Sequence, residues 1–339
     1  MADTTPNQSA GSDGDEEAVT DRTSQARAWL TWTGRVVSVA ALAVVLWACL
    51  TAWGAIVHGH PAYAILLTLT VICAAWALWR SYTARTRTSG WRLALRIVLL
   101  VAAIIWVVLM WWLRPFTAHE PALSAMESNH DVTVTETATQ IVMTPTGTPS
   151  TLGVFFQPGA KVEARAYAAV LRPLAYWGYT VVIPKQPLGI AFLALPAFDE
   201  ARPHHPEINQ WVVGGHSLGG TVAAMEADAG DTDAQAPAVG LMFFASYPAG
   251  DISESLTASV LSVSGSQDGL STPAKIAASR ADLPDDAKFT EIEGASHAQF
   301  GDYGPQPGDG VPTISNAAAR SEIVSAALEW VVALAPEPS

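Results

Sequence analysis

The sequence predicts two parts: three membrane-spanning helices, then one α/β domain with a mostly parallel sheet flanked by helices. Three observations predict it. Residues 36–113 hold three apolar runs, each long enough to cross the hydrocarbon of a bilayer. From residue 131 onward, short apolar strands alternate with amphipathic helical stretches, the pattern of a parallel sheet covered on both faces. Within that pattern, the strand at 211–214 runs into Gly215-His216-Ser217-Leu218-Gly219, and a helix begins at once.

Composition agrees with a membrane part. Of 339 residues, 50% are hydrophobic and 14% charged, with mean hydropathy +0.25. The net charge of −13 is uneven, +3 over residues 1–114 and −16 over residues 115–339. An acidic domain excludes nucleic acid as a partner, since that needs a basic surface. Cys49 and Cys73 both lie in apolar runs, so the α/β part can form no disulfide.

Residues 1–30 are polar, with an acidic patch at Asp13, Asp15, Glu16 and Glu17, and read as a disordered cytoplasmic tail. They are too long and too acidic for the basic start of a cleaved signal peptide. The runs at about 36–57, 62–79 and 95–113 read as the three transmembrane helices of a 31–114 anchor. Arg96, near the start of the third, can snorkel to the interface. Tryptophans such as Trp79, Trp91 and Trp112 sit near run ends, as interface anchors do. Arg22, Arg27 and Arg35 precede the first run, and Arg80, Arg85, Arg87 and Arg92 fill the second link. The first link, His58-Gly59-His60-Pro61, has no basic residue of that kind. The positive-inside rule then places the N-terminus and the second link in the cytoplasm, and everything after Arg114 outside. High alanine content and a preference for arginine suggest a high-GC bacterium, hence a multi-pass protein of the bacterial cell membrane. Two histidines in a tight turn without a third ligand read as a polar hairpin, not a metal site.

Residues 115–130, with Pro115 and Pro121, read as a linker, and 131–336 as the domain. Strands are expected at 132–137 and 140–143, which alternate in period two, and at 153–156, 179–183, 211–214, 239–244, 259–264 and 289–292. Helices are expected at 164–177, stopped by Gly178, and at 218–227, 273–279 and 320–334, with a short or broken one at 198–205.

The strand–Gly-x-Ser-x-Gly–helix stretch is a nucleophile elbow. A serine there is held in strained backbone space with its hydroxyl pushed outward, and glycine on either side removes clashes across the turn. The hydroxyl needs a base, and a histidine base needs a carboxylate to fix its tautomer. Asp268 follows the strand 259–264, and His297 follows the strand 289–292. Ser217, Asp268 and His297 therefore come in the chain order this arrangement uses, each past a strand end. Asp251 is the second-choice acid, and Asp302 a weaker one. His119, His130, His204 and His205 place less well, and His216 reads as packing beneath the elbow. The oxyanion hole needs two backbone N–H groups. One is that of Leu218, and the other comes from Gln157-Pro158-Gly159-Ala160-Lys161, with Ala160 ahead of Lys161.

On the loop Pro158-Gly159-Ala160, the elbow Gly215-His216-Ser217-Leu218-Gly219-Gly220, Asp268 and Ser296-His297, residues 130–335 resemble the α/β-hydrolase superfamily. The similarity is to its compact, lid-less, dienelactone-hydrolase-like branch. It implies the α/β-hydrolase fold and a Ser-His-Asp hydrolase acting through an acyl-enzyme, with neither cofactor nor metal. Only 245–258 separates two consecutive strands, too little for a helical lid, which favours small ester-like substrates over bulk lipid. The oxyanion loop departs from larger lipases, with Gln157-Pro158-Gly159 in place of a His-Gly pair. The expected partners are a small ester and the lipid bilayer. Two alternatives stay open: an acyltransferase of the cell envelope using the same triad, and a non-catalytic membrane binding protein.

Overall fold

Eight apolar runs pair into one sheet: β1 (Val132–Glu136), β2 (Gln140–Pro145), β3 (Leu152–Gln157), β4 (Val181–Pro184), β5 (Gln210–His216), β6 (Ala238–Phe244), β7 (Ser259–Gly265) and β8 (Lys288–Ile292). The computed structural model describes residues 12–83 and 90–335. The strand order is β1-β2-β4-β3-β5-β6-β7-β8. β2 pairs antiparallel with β1 and β4, and every pair from β4 through β3 to β8 is parallel. The sheet is therefore mostly parallel, as expected.

Side-chain alternation sends each strand into two cores. Val154 and Phe156 of β3, with Met242 and Phe244 of β6, pack on one face against α5 (Ala168–Tyr176) and α9 (Asn316–Leu334). Phe155 and Phe243 point the other way, into a core shared with α6 (Ala197–Ala201) and α7 (Leu218–Gly230). A parallel strand must be apolar on both sides for this reason. β3 is buried along its whole length. The helix between β7 and β8, α8 (Pro273–Ala278), is capped by the Thr272 side chain.

The order also fixes where a site can form. After β3 the chain moves to β4 on one side, then crosses back to β5 on the other. That reversal opens a crevice at the carboxyl ends of β3 and β5, where open α/β sheets bind ligands.

The chain divides into two compact units. The first holds α1 (Ser12–Thr51), residues 65–83 of α3 (Pro61–Thr83), and α4 (Gly90–Trp112). Ala28–Thr51, Pro61–Thr83 and Trp91–Trp112 are long and apolar enough to cross a membrane. The Arg35 guanidinium donates to the Ser81 hydroxyl and carbonyl, each at 3.1 Å, and Trp106 Nε1 donates to Thr70 Oγ1 at 2.9 Å. Such polar pairs tie helices together where water is absent.

Three expectations change. Residues 12–30 are helical where disorder was expected, since no glycine or proline interrupts the chain from Asp15 to Thr33. Residues 1–11, and Arg85 and Arg87 of the second link, lie outside the described residues. The first span ends at Thr51 and not at residue 57. The Thr51 hydroxyl bonds the Trp47 carbonyl at 2.7 Å, and Ala52 leaves helical space with φ −141 and ψ 29. A short helix, α2 (Trp53–His58), follows, and residues 52–64 belong to the second unit with 113–335. Finally, residues 115–130 are not a free linker. Phe116 forms a parallel bridge with Val162, and Ala118 and Ala122 are buried in the core. Small side chains and backbone pairing hold the segment on the domain.

Candidate active site

β5 ends at His216, and Ser217 turns the chain into α7 with φ 53 and ψ −127. That is left-handed space for a residue with a side chain, which persists only where the surroundings hold it. The Ser217 N–H donates to the Phe244 carbonyl at 3.0 Å, and its carbonyl accepts the Ser246 hydroxyl at 2.6 Å. A β-carbon on Gly215 would sit 2.5 Å from the Gly219 carbonyl carbon, and one on Gly219 would strike the Gln157 and Pro158 carbonyls. The two glycines thus let the elbow close on itself and on the loop after β3. The Ser217 side chain is half-buried.

Asp268 lies beyond β7 and His297 beyond β8, both with fully buried side chains. Asp268 Oδ2 is 2.8 Å from His297 Nδ1, and its Oδ1 accepts the N–H groups of Leu270 and Ser271 at 2.8 and 2.7 Å. With three bonds the carboxylate cannot swing. Its acceptor on Nδ1 assigns the proton there and leaves the Nε2 lone pair free. Nε2 has no hydrogen-bond partner among the described residues, Ser217 Oγ included. The structure thus joins Asp268 to His297 and sets Ser217 at the elbow without a Ser217–His297 bond.

A second carboxylate fixes both loops. Asp309 Oδ1 accepts the N–H groups of Gly269 (3.2 Å), His297 (3.1 Å) and Gly310 (2.7 Å), and Oδ2 accepts that of Ala298 at 2.9 Å. Burial alone would raise its pKa, yet these donors and the Ser296 hydroxyl hold it below the usual value. Sequence reasoning missed Asp309, which sits in the biased loop 301–310 with no motif around it.

The loop after β3 is equally constrained. The Gly159 N–H donates to the Tyr167 hydroxyl at 2.8 Å, and the Lys161 N–H donates to the Gly189 carbonyl at 2.6 Å. The Ala160 N–H between them has no acceptor among the described residues, nor has that of Leu218. Ala160 and Leu218 therefore remain available as donors, while Lys161 does not.

His216 is fully buried, its ring 4.5 Å from that of His297, and its Nδ1 lies 2.8 Å from the Tyr167 hydroxyl. Burial first, and then the neighbouring His297, push its pKa well below the usual value, so it stays neutral. It is more than packing.

The other expected candidates lie elsewhere. Asp251 is exposed and bonds Ser253, Asp302 pairs with Arg320, and His205 pairs with Glu207. Among the described residues no three His, Cys, Asp or Glu side chains gather to hold a metal ion.

A family model described as "Alpha/beta hydrolase family" matches residues 153–321. Among solved structures, the chain is similar to a dienelactone hydrolase-like promiscuous phosphotriesterase from metagenomic libraries, with 16% identity, 58% of this chain and 92% of that one covered, and a TM-score of 0.44. It is similar also to an esterase of the Planctomycetes species Thermogutta terrifontis, with 16% identity, coverage of 62% and 95%, and a TM-score of 0.42. A third is the thioesterase domain of the curacin biosynthetic pathway, with 14% identity, coverage of 58% and 100%, and a TM-score of 0.42. No curated protein matches.

Proposed function

The chain belongs to the α/β-hydrolase superfamily, and from that premise we propose that it is a membrane-anchored serine hydrolase cleaving small ester-like substrates. The observation that carries the reading is the buried Asp268–His297 pair, 2.8 Å apart, with the His297 ring 4.5 Å from that of His216, the residue before a serine held at positive φ on its elbow.

In this reading Ser217 Oγ attacks the ester carbonyl carbon as its proton passes to His297 Nε2. Ser217 turns onto Nε2 when substrate binds, since catalytic hydrogen bonds often tighten only in the complex. Asp268 holds the Nδ1 proton and stabilises the imidazolium. The N–H groups of Leu218 and Ala160 receive the oxyanion. Collapse expels the alcohol, which takes the proton from His297 and leaves an acyl-enzyme on Ser217. Water, deprotonated by the same Nε2, attacks the acyl carbon, and the acid leaves as Ser217 Oγ regains a proton. One ester and one water become one acid and one alcohol.

Small substrates fit the absence of any helix between β6 and β7, where only residues 245–258 intervene. The −16 charge over residues 115–339 repels anionic substrates at low salt. A fluorophosphonate probe tests the reading on the full chain in detergent. Wild type should be labelled and Ser217→Ala should not, with hydrolysis of a short-chain aryl ester falling by about a thousandfold or more. Absence of labelling in folded wild type would sink the proposal.

A further inference from the structure

The oxyanion loop is held from outside the hydrolase fold proper. Residues 113–118, which follow α4 directly in the chain, lie along it. The Phe116 N–H donates to the Lys161 carbonyl at 2.8 Å, and the Glu163 N–H donates back to the Phe116 carbonyl at 2.9 Å. One step further, the Ala118 N–H donates to Glu163 Oε2 at 2.9 Å. Gly59 and His60, from the link after the first span, and Tyr63, at the start of α3, line a small cavity of about 40 Å³ together with Lys161, Glu163 and Gln186. Lys161 itself has φ 61, a left-handed residue that is not glycine, which persists only where its surroundings hold it.

We propose that residues 113–118 form a strap that sets the oxyanion N–H of Ala160, with Phe116 and Glu163 as positioning residues for the reaction. The proposal rests on the hydrolase reading above. Ala160 is one residue before Lys161, whose carbonyl the strap holds and whose N–H Gly189 holds. Gly159, on the other side, is fixed by Tyr167. The unbonded N–H therefore sits between two pinned neighbours, and half of the pinning comes from the segment that leads out of the third span. Donors aimed in advance at the developing oxyanion lower the barrier without reorganising, and small displacements of them are costly. The hydrolase thus carries a part of its catalytic alignment in the segment that leads out of the third span.

The test uses the full chain in phospholipid nanodiscs. Glu163→Ala removes the acceptor for Ala118, and Glu163→Gln keeps one. A short-chain aryl ester should show kcat about 10-fold lower in Glu163→Ala, with KM changed less than about twofold and Glu163→Gln close to wild type. The rate of fluorophosphonate labelling should fall in parallel, while the pH midpoint of kcat should not move. Phe116→Pro deletes the donor to Lys161 by another route and should act in the same direction, which guards against a misfolded Glu163 variant. Unchanged kcat in both variants overturns the strap. So does an equal loss in Glu163→Ala and Glu163→Gln with KM raised. Hydrogen exchange at the Lys161 N–H reads the strap without turnover. Faster exchange in Glu163→Ala is expected even if wild type proves inactive, and unchanged exchange overturns the strap while leaving the hydrolase reading intact.

Discussion

His216 links His297 to the loop after β3. Its ring lies 4.5 Å from that of His297, and its Nδ1 lies 2.8 Å from the Tyr167 hydroxyl, which in turn accepts the Gly159 N–H. Because that hydroxyl accepts from Gly159, its own proton goes to His216 Nδ1, which makes the neutral imidazole an Nε2–H tautomer. The proposed mechanism calls for a neutral ring there. In that mechanism, a charged His216 would repel the imidazolium that His297 becomes on taking the serine proton. Tyr167→Phe removes one oxygen and leaves two buried groups unpaired, His216 Nδ1 and the Gly159 N–H. The expected cost is about 1–3 kcal/mol of stability, together with lower kcat because Gly159 precedes Ala160. Thermal unfolding and ester hydrolysis in detergent measure both. A variant as stable and as active as wild type would show that the Tyr167 bond positions nothing.

At the scale of elements, α7 and the ends of β3 and β4 share a buried polar chain beneath the oxyanion loop. Gln157 Nε2 donates to Glu226 Oε1 at 2.8 Å, and Gln186 Nε2 donates to Gln157 Oε1 at 2.8 Å and to the Pro158 carbonyl at 2.9 Å. Burial pushes the Glu226 carboxyl up to about 8, against the opposing pull of the Gln157 amide. The folded pKa is raised, so the unfolded chain releases this proton near 4.5 and the folded chain releases it only near 8. Stability from this group is complete below the lower value and falls as pH rises through the window, by at most about 1.4 kcal/mol per pH unit. Glu226→Gln has no proton to lose. Its thermal midpoint should rise relative to wild type between pH 5 and pH 7.5, and parallel curves would refute the assignment. This chain was illegible in the sequence because residues 157, 186 and 226 share no period and no motif. The strands were legible because burial on both faces demands unbroken apolar runs, and the elbow because its geometry demands glycines at fixed offsets. Boundaries slipped where caps decide them. The closing helix starts at Asn316, not at residue 320, because Ser315 caps it by accepting the Ala318 N–H at 3.2 Å. The strap escaped notice because backbone pairing through Phe116 leaves no side-chain pattern.

At the scale of the molecule, the question is which side of the membrane the site faces. If the three candidate spans each cross once, the chain before the first and residues 113–335 lie on opposite sides, whatever the sign. Arg35 on α1 meets Ser81 on α3, and its guanidinium lies 4.0 Å from the centre of the Tyr82 ring. The start of the first span and the end of the second therefore share one end of the bundle. Arg22, Arg27, Arg80 and Arg92 belong to the same end by position in the chain, while residues 52–64 carry no Lys or Arg. Basic residues near span ends are retained in the cytoplasm, so the geometry groups them and their charge gives the sign. The prediction is an outward-facing hydrolase domain. Protease added outside intact cells should remove a tag placed after Ser339 and spare one placed before Met1, and the N-terminal tag should become sensitive only after lysis. A C-terminal tag protected until lysis would reverse the orientation. It would also place Ser217 in the cytoplasm, where its substrate would have to be sought instead.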